Sequence, residues 1–494
     1  MDFTDRNCYC SVTFDIGELI IEVDNREHLF MKENIHFYYT NDLHSYFDHW
    51  PRVITFLKKK RKESEERGES SWTVDIGDHM DRVHPITEAT MGKANVELLN
   101  DAGYDVVTIG NNEGLTLAHE ELYHLYDQAQ FHVVCSNLQC TLSENPSWLL
   151  SSHTVTSKHG IRIGVLGLTA RFNPYYHLLG WHVESVHEVI YKELTKLQHK
   201  TDVIVLLSHL GINEDQEIAK RFPSIDLIIG GHTHHLLRTG EIVDQTLITA
   251  AGKHCTYVGE VRITWDHEQK KIVNKEAHTT NITHLTPDVH TEKQLAILAS
   301  NAEQILGKKI IHIDEPIKVD WYSETKIMKR FTEKLLEWTD ADIGMLNAGL
   351  LIDHFKAGDI TYKDVHHICP HPINPCVVTL TGDEIQEVVR ASLTEELINL
   401  ELKGFGFRGV VIGRMIFANL DVVTGLHENE QEYVKEVLYD GVPLESDRLY
   451  KLVTADTFTF GRLLPEIARS KEKKLYLPEF IREILVKTLK EFNR

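Results

Sequence analysis

Five short apolar runs in this chain each end in residues able to bind a metal ion, and this repetition restricts the fold more than any other feature. Ile35-His-Phe-Tyr-Tyr39 runs into Thr40-Asn-Asp42-Leu-His44, and Trp72-Thr-Val-Asp-Ile76 into Gly77-Asp78. Asp105-Val-Val-Thr-Ile109 runs into Gly110-Asn111-Asn112-Glu113. Val203-Ile-Val-Leu-Leu207 runs into Ser208-His209, and Leu227-Ile-Ile229 into Gly230-Gly231-His232-Thr233-His234. Apolar runs of this length, closed by turn residues, read as buried strands. One Asp or His after a strand is ordinarily a loop or capping residue. Five in one region are poorly explained that way. Helical stretches at 50–67, 85–102 and 117–130 alternate with the runs. The alternation predicts an α/β fold with a largely buried sheet, whose ligands sit beyond the carboxyl ends of the strands.

Imidazoles, an amide and carboxylates together suit Zn²⁺, Mn²⁺, Fe or Co, whereas oxygen-only ligation would favour Mg²⁺ or Ca²⁺. A carboxylate at Asp78 can bridge two such ions. A pair of ions polarises a phosphoryl oxygen and lowers the pKa of a shared water, which supplies a hydroxide for in-line attack without a protein nucleophile. Neither a Gly-x-Ser-x-Gly elbow nor a Gly-Lys-Ser/Thr phosphate loop occurs. The net charge of −22 argues against an extended nucleic-acid or anionic-membrane surface. It leaves room for a small anionic substrate, because bound cations reverse the field within one cleft.

Beyond 247 the pattern turns to β, and a helix at 293–308 connects to a second region. There, a strand at 343–346 ends in Asn347-Ala-Gly349. Phe405-Gly-Phe407-Arg408-Gly409 is Gly-rich and aromatic, and a strand at 449–454 leads to Ala455-Asp-Thr-Phe458-Thr-Phe460-Gly461. The expected division is an extension at 1–30, a first domain at 31–287, a linker helix at 288–310 and a second domain at 311–494. The extension is read as loosely attached, with an extra edge strand at 18–23 as the alternative. Seven cysteines without a paired framework suit a reducing compartment. No basic-then-apolar leader and no apolar run of about 18 residues is seen. A cytoplasmic protein is expected.

The motifs Asp42-x-His44, Gly77-Asp78, Gly110-Asn111-x-Glu113, His209 and Gly231-His232-x-His234 stand in the order of the calcineurin-like metallophosphoesterases, which the first domain resembles. Asn347-Ala-Gly and the Phe405 and Phe458 segments resemble the carboxy-terminal domain of the 5′-nucleotidase branch. The resemblance implies a β-sandwich flanked by helices, joined to a smaller α/β nucleotide-recognising domain. It implies one metal site from Asp42, His44, Asp78 and His234, and a second from Asp78, Asn111, His209 and His232. It also implies a pair of rings enclosing a base, from Phe405 or Phe407 and Phe458 or Phe460, residues that equally suit core packing. Asn347 falls in the same substrate-facing set. The implied activity is hydrolysis of nucleotide phosphoesters. Alternatives are a phosphodiesterase acting on cyclic nucleotides or nucleotide sugars and, from another class, a nucleotide- and metal-binding protein with little turnover.

Three departures qualify the resemblance. The family's Gly-Asn-His-Glu, commonly followed by Phe-Asp, is Gly110-Asn-Asn112-Glu followed by Gly114-Leu115 here, so the His/Asp dyad that stabilises charge in the transition state is missing at its usual place. Loss of one such donor costs about 10²–10³ in rate. Asn112 together with His79, Arg82 or His84, which come just after Asp78, is the expected substitute. Leu350-Leu-Ile352 stands where the branch carries a phosphate-contacting arginine, leaving Arg408 and Arg414 either to replace it or to stand as ordinary surface residues. Gly461-Arg-Leu-Leu stands in place of Gly-Gly-Asp-Gly.

Overall fold

On the first strand, Lys32–Thr40, the side chains of Ile35, Phe37 and Tyr39 enter one apolar cluster and that of Tyr38 enters another, so the strand is buried on both faces. The same holds for Val203–His209, where Val203, Val205 and Leu207 face one cluster and Ile204 and Leu206 a second. Continuous apolar runs rather than alternating ones are what such strands require. The computed structural model describes residues 32–404, 406–427, 432–461 and 463–492. The expected extension at 1–30 and Phe405 lie outside the described residues.

Two sheets stack face to face. The first has seven strands in the order Lys271–Asn281, Tyr257–Asp266, Lys32–Thr40, Ser70–Asp75, Val106–Val107, His132–Val134 and Leu149–Leu150. The second has six, in the order Glu241–Val243, Thr246–Thr249, Leu227–Gly230, Val203–His209, Arg162–Thr169 and His153–Thr156. Their facing sides share one cluster, including Phe37, Val74 and Ile76 from the first sheet and Val165, Val205 and Ile229 from the second. The helices Trp50–Glu66 and Lys93–Asp101 cover the first sheet, and Val186–Leu197 and Ile212–Arg221 the second. The five runs predicted from sequence are neighbouring parallel strands within these two sheets. Their carboxyl ends therefore open on one side.

Two expected helices are broken. The stretch 85–102 is Pro85–Thr90 followed by Lys93–Asp101, separated by Met91 and Gly92 in left-handed conformations. The stretch 117–130 holds only the short helix His119–Tyr123: Leu117 and Ala118 are extended, and the helix stops at His124, whose φ of −106° and ψ of 5° leave the helical range.

The helix Val289–Leu306, capped by the Asp288 side chain on Thr291 N–H, lays Leu298 and Ala302 on the first domain. A second core then forms around a five-stranded sheet ordered Met415–Ala418, Ile343–Asn347, Leu449–Ala455, Pro375–Thr381 and Lys473–Leu475. Charge joins the two halves. Arg82 and Arg482, each 4% exposed, both bond the Glu88 carboxylate, with an N–O distance of 2.8 Å in each case. The Phe480 ring lies 4.5 Å from the Arg82 guanidinium and 4.8 Å from that of Arg482. His366 Nε2 meets the Arg82 carbonyl at 2.8 Å. Among the described residues, no helix is long and apolar enough to cross a membrane.

Candidate metal centre

At the shared strand ends, Asp42, His44 and His234 form one tight group of ligand atoms, and Asp42, Asp78 and His209 another. Nε2 of His44 lies 3.1 Å from Nε2 of His234. Nε2 of His234 lies 3.4 Å from Asp42 Oδ1. Asp78 faces both groups: its Oδ1 is 3.4 Å from His209 Nε2 and its Oδ2 is 3.8 Å from His44 Nε2. His232 stands apart from the tight groups. Its ring centroid is 5.2 Å from that of His209, and its backbone N–H donates to Asp42. Asn111 lies at the same strand ends, in the turn of helix Asn111–Thr116.

The donor set fits divalent ions. His209 Nδ1 meets the carbonyl of Ile76 at 2.8 Å, which places the proton on Nδ1 and leaves the Nε2 lone pair aimed at Asp78. That Nε2 and the Oδ1 of Asn111 are buried without hydrogen-bond partners. Orphaned buried acceptors are rare and call for an explanation such as an ion. Burial alone would lower the His209 pKa, but the Asp78 and Asp42 carboxylates lift it to about 10. Burial would raise Asp42 and Asp78, but the surrounding histidines hold both below the ordinary carboxylate range.

The backbone is bent to suit. Asp42, His44, Asp78, His232 and His234 all have positive φ, between 50° and 69°. Non-glycine residues rarely adopt this region, and it concentrates at functional sites. Gly77 and Gly110 let two strand ends touch: a Cβ on Gly110 would lie 2.1 Å from Asp78 Oδ1. Glu113 ties the ends together by accepting the backbone N–H groups of Asp78, Met80 and Gly110 at 2.9–3.1 Å. Burial, then the Asp78 charge, lifts its carboxyl to about 7.

Of the proposed catalytic group only Asn112 reaches the centre. Its backbone N–H donates to Asp78 Oδ1 at 2.7 Å, and its Nδ2 lies 3.0 Å from His44 Nδ1. The structure does not bring the other three there. His79 turns into the core against Trp50 and Asn95, where burial drops its pKa to about 3. Arg82 is spent on Glu88, Thr116 O and Phe480. His84 caps the helix Pro85–Thr90 through Ile86 N–H. The cation near the centre comes from the second domain: Arg408 Nη2 lies 3.0 Å from Asp81 Oδ2, which in turn is 3.6 Å from His44 Nδ1. Burial would raise Asp81, but His44 and Arg408 hold it down to about 2. Sequence reasoning missed Asp81, although it stands in the same turn as Asp78.

The expected base-enclosing rings are largely committed elsewhere. Phe407 is 3% exposed and stacks on His371 at 5.0 Å, and Phe458 is fully buried. Phe460 stacks on Tyr175 of the first domain at 5.7 Å. Asn347 donates to the Ile412 carbonyl from a buried position.

Comparison with known proteins agrees with this architecture. The family described as calcineurin-like phosphoesterase matches residues 35–236, and that described as 5′-nucleotidase, C-terminal domain, matches residues 307–462. The chain is 41% identical over 456 residues to the uncharacterized metallophosphoesterase YunD of Bacillus subtilis, covering 92% of this chain and 99% of that one. A putative 5′-nucleotidase from Staphylococcus aureus superposes with a TM-score of 0.68 at 19% identity, over 92% and 96% of the two chains. The NAD nucleotidase of Haemophilus influenzae gives 0.65 at 15% identity, over 93% and 97%. At these identities the structural likeness speaks to the fold alone.

Proposed function

Because the chain belongs to the calcineurin-like metallophosphoesterase family, in the branch with a 5′-nucleotidase carboxy-terminal domain, and is therefore a metal-dependent hydrolase, we propose that it cleaves small nucleotide-like phosphoesters with two divalent ions. The carrying observation is the convergence of Asp42, His44, Asp78, His209 and His234 at the strand ends, with His209 Nε2 and, in the adjoining turn, Asn111 Oδ1 buried without hydrogen-bond partners. In this reading Asp42, His44, Asp78 and His234 hold one ion and Asp78, Asn111, His209 and His232 the other. When bound, the ions supply Lewis acidity and a water of lowered pKa.

The chain's own residues do the rest. Asp78 is oriented by the Asn112 N–H and carries the negative charge both ions need. His209 is held in one tautomer by Ile76 O. Asn112 offers a neutral N–H beside the centre, and Arg408 brings positive charge to its edge.

The buried state of Phe407 and Phe458 favours a second reading within the same chemistry, a phosphodiester or nucleotide sugar recognised with little help from those rings. A cytoplasmic location belongs to the proposal, supported by the unpaired thiols of Cys135, Cys140, Cys255, Cys369 and Cys376. Cell fractionation tests it; recovery outside the cytoplasm rejects that part. Turnover with Mn²⁺ or Zn²⁺ on nucleoside monophosphates, cyclic nucleotides, nucleotide sugars and an aryl phosphodiester tests the activity. Hydrolysis of one class identifies the substrate. Tight nucleotide binding without hydrolysis of any class overturns the proposal in favour of a binding protein.

A further inference from the structure

His44 presents Nε2 to His234, Asp42 and Asp78, so Nε2 is its ligand atom. A neutral imidazole that ligates through Nε2 carries its proton on Nδ1, and that proton needs an acceptor. Two groups face Nδ1: Asn112 Nδ2 at 3.0 Å and Asp81 Oδ2 at 3.6 Å. The Asn112 amide is fixed with its nitrogen inward. Its Nδ2 also donates to Met80 O at 3.1 Å, and its Oδ1 accepts from Asn111 Nδ2 at 3.3 Å. Turning it over would set Oδ1 against the Met80 carbonyl. With its nitrogen inward this amide donates to Nδ1 while Nδ1 is unprotonated; a proton placed on Nδ1 by ligation through Nε2 would be turned away from the amide and toward the Asp81 carboxylate, the acceptor facing it at 3.6 Å.

Asp81 is itself held from two sides. Its Oδ1 accepts the Val83 N–H at 3.0 Å, and its Oδ2 accepts Arg408 Nη2 at 3.0 Å. Arg408 is anchored in turn within the second domain. Its backbone N–H donates to His371 Nδ1 at 2.8 Å, and His371 Nε2 donates to the Leu350 carbonyl at 2.9 Å. The Phe407 ring lies flat on His371, with 5° between the planes. A continuous line of bonds and contacts thus runs from the core of the second domain, through Arg408 and Asp81, to one histidine of the centre.

We infer that Asp81 and Arg408 are a positioning pair: Asp81 accepts the Nδ1–H of His44 when Nε2 ligates, and Arg408 fixes Asp81, so that seating of the second domain sets the affinity of the ion held by His44. The inference rests on the two-ion reading above. Outer carboxylates of this kind are worth about 10–100-fold in metal affinity.

Calorimetric titration of the full-length apoprotein with Mn²⁺ or Zn²⁺ tests it on Asp81→Asn, Arg408→Gln and Arg408→Lys. The expected result is two binding steps in the wild type. One is weakened about 10–100-fold in Asp81→Asn and in Arg408→Gln and partly recovered in Arg408→Lys, while the other is unchanged. The absorption bands of the Co²⁺-loaded protein should shift in the same variants. Equal weakening of both steps, or of neither, overturns the inference. Arg408→Gln guards against misfolding of Asp81→Asn, because the Arg408 side chain is one-third exposed. A wild type that binds no second ion would instead refute the two-ion reading.

Discussion

His209 Nδ1 lies 2.8 Å from the carbonyl oxygen of Ile76, so a histidine on one sheet is oriented by the strand end of the other. The bond spans the sandwich and aims Nε2 at Asp78, two residues beyond Ile76. His209→Gln should lose at least the 10–100-fold in metal affinity typical of disturbing even an outer partner. Metal content by elemental analysis after gel filtration checks this. Full occupancy would remove His209 from the ligand set.

Gly110 has an ordinary negative φ, so alanine there meets no backbone strain. Its Cβ would nonetheless fall 2.1 Å from Asp78 Oδ1 and 2.3 Å from Asp78 N. Gly110→Ala should therefore displace Asp78 and cut kcat by about 10²-fold, the usual consequence of moving a reacting constellation by an ångström. A crystal structure of the variant with Asp78 undisplaced, or unchanged kcat, would contradict the argument.

The Arg82–Glu88–Arg482 cluster is buried, and removing Glu88 leaves two buried guanidiniums facing each other without the carboxylate that both bond. Glu88→Gln should cost about 3–5 kcal/mol in denaturant unfolding at neutral pH. Burial would raise the Glu88 carboxyl, but Arg482 and Arg82 hold it at about 2, below its ordinary 4.5. A depressed folded pKa means the stabilisation is full above pH 4.5 and fades as pH falls through 2. The gap in Tm between wild type and Glu88→Gln should accordingly shrink over that window. A gap that widened on acidification would reverse the assignment.

Phe458→Ala should act on stability, at about 3–5 kcal/mol, with KM unchanged in the surviving folded enzyme. Tyr175→Ala and Phe460→Ala remove half-buried rings stacked at 5.7 Å across the two domains and should change Tm little; a raised KM for nucleoside substrates in either would show that this pair, and not Phe458, meets the base. Steady-state kinetics alongside calorimetry separate the two classes.

The buried strands and the residues at their ends were legible because both are local. An apolar run fixes a strand on both its faces, and the ligand-type residue comes within a few positions. The roles of the residues just beyond Asp78 were not legible. His79, Arg82 and His84 are close in sequence, but the chain turns each toward a different partner: Trp50, Glu88 and Ile86 N–H. Those partners come from packing, which no local pattern records. The 404–408 segment stands out in sequence for its aromatic rings, yet His371 covers Phe407 and leaves Arg408 as the group delivered to the centre. Nothing near Arg408 in sequence announces Asp81.

The left-handed backbone at Asp42, His44, Asp78, His232 and His234 also bears on how such proteins change over time. That region of conformation tolerates Asn, Asp and His better than aliphatic side chains, and forcing a β-branched residue into it costs on the order of 1–3 kcal/mol. At these five positions steric selection and ion chemistry therefore favour the same residues, and a lineage that abandoned hydrolysis would still tend to keep them. Asn111, in a helix, and His209, in a strand, are under no such steric filter. Drift at these two positions, ahead of the other five, is the mark by which a retired member of the lineage would be recognised.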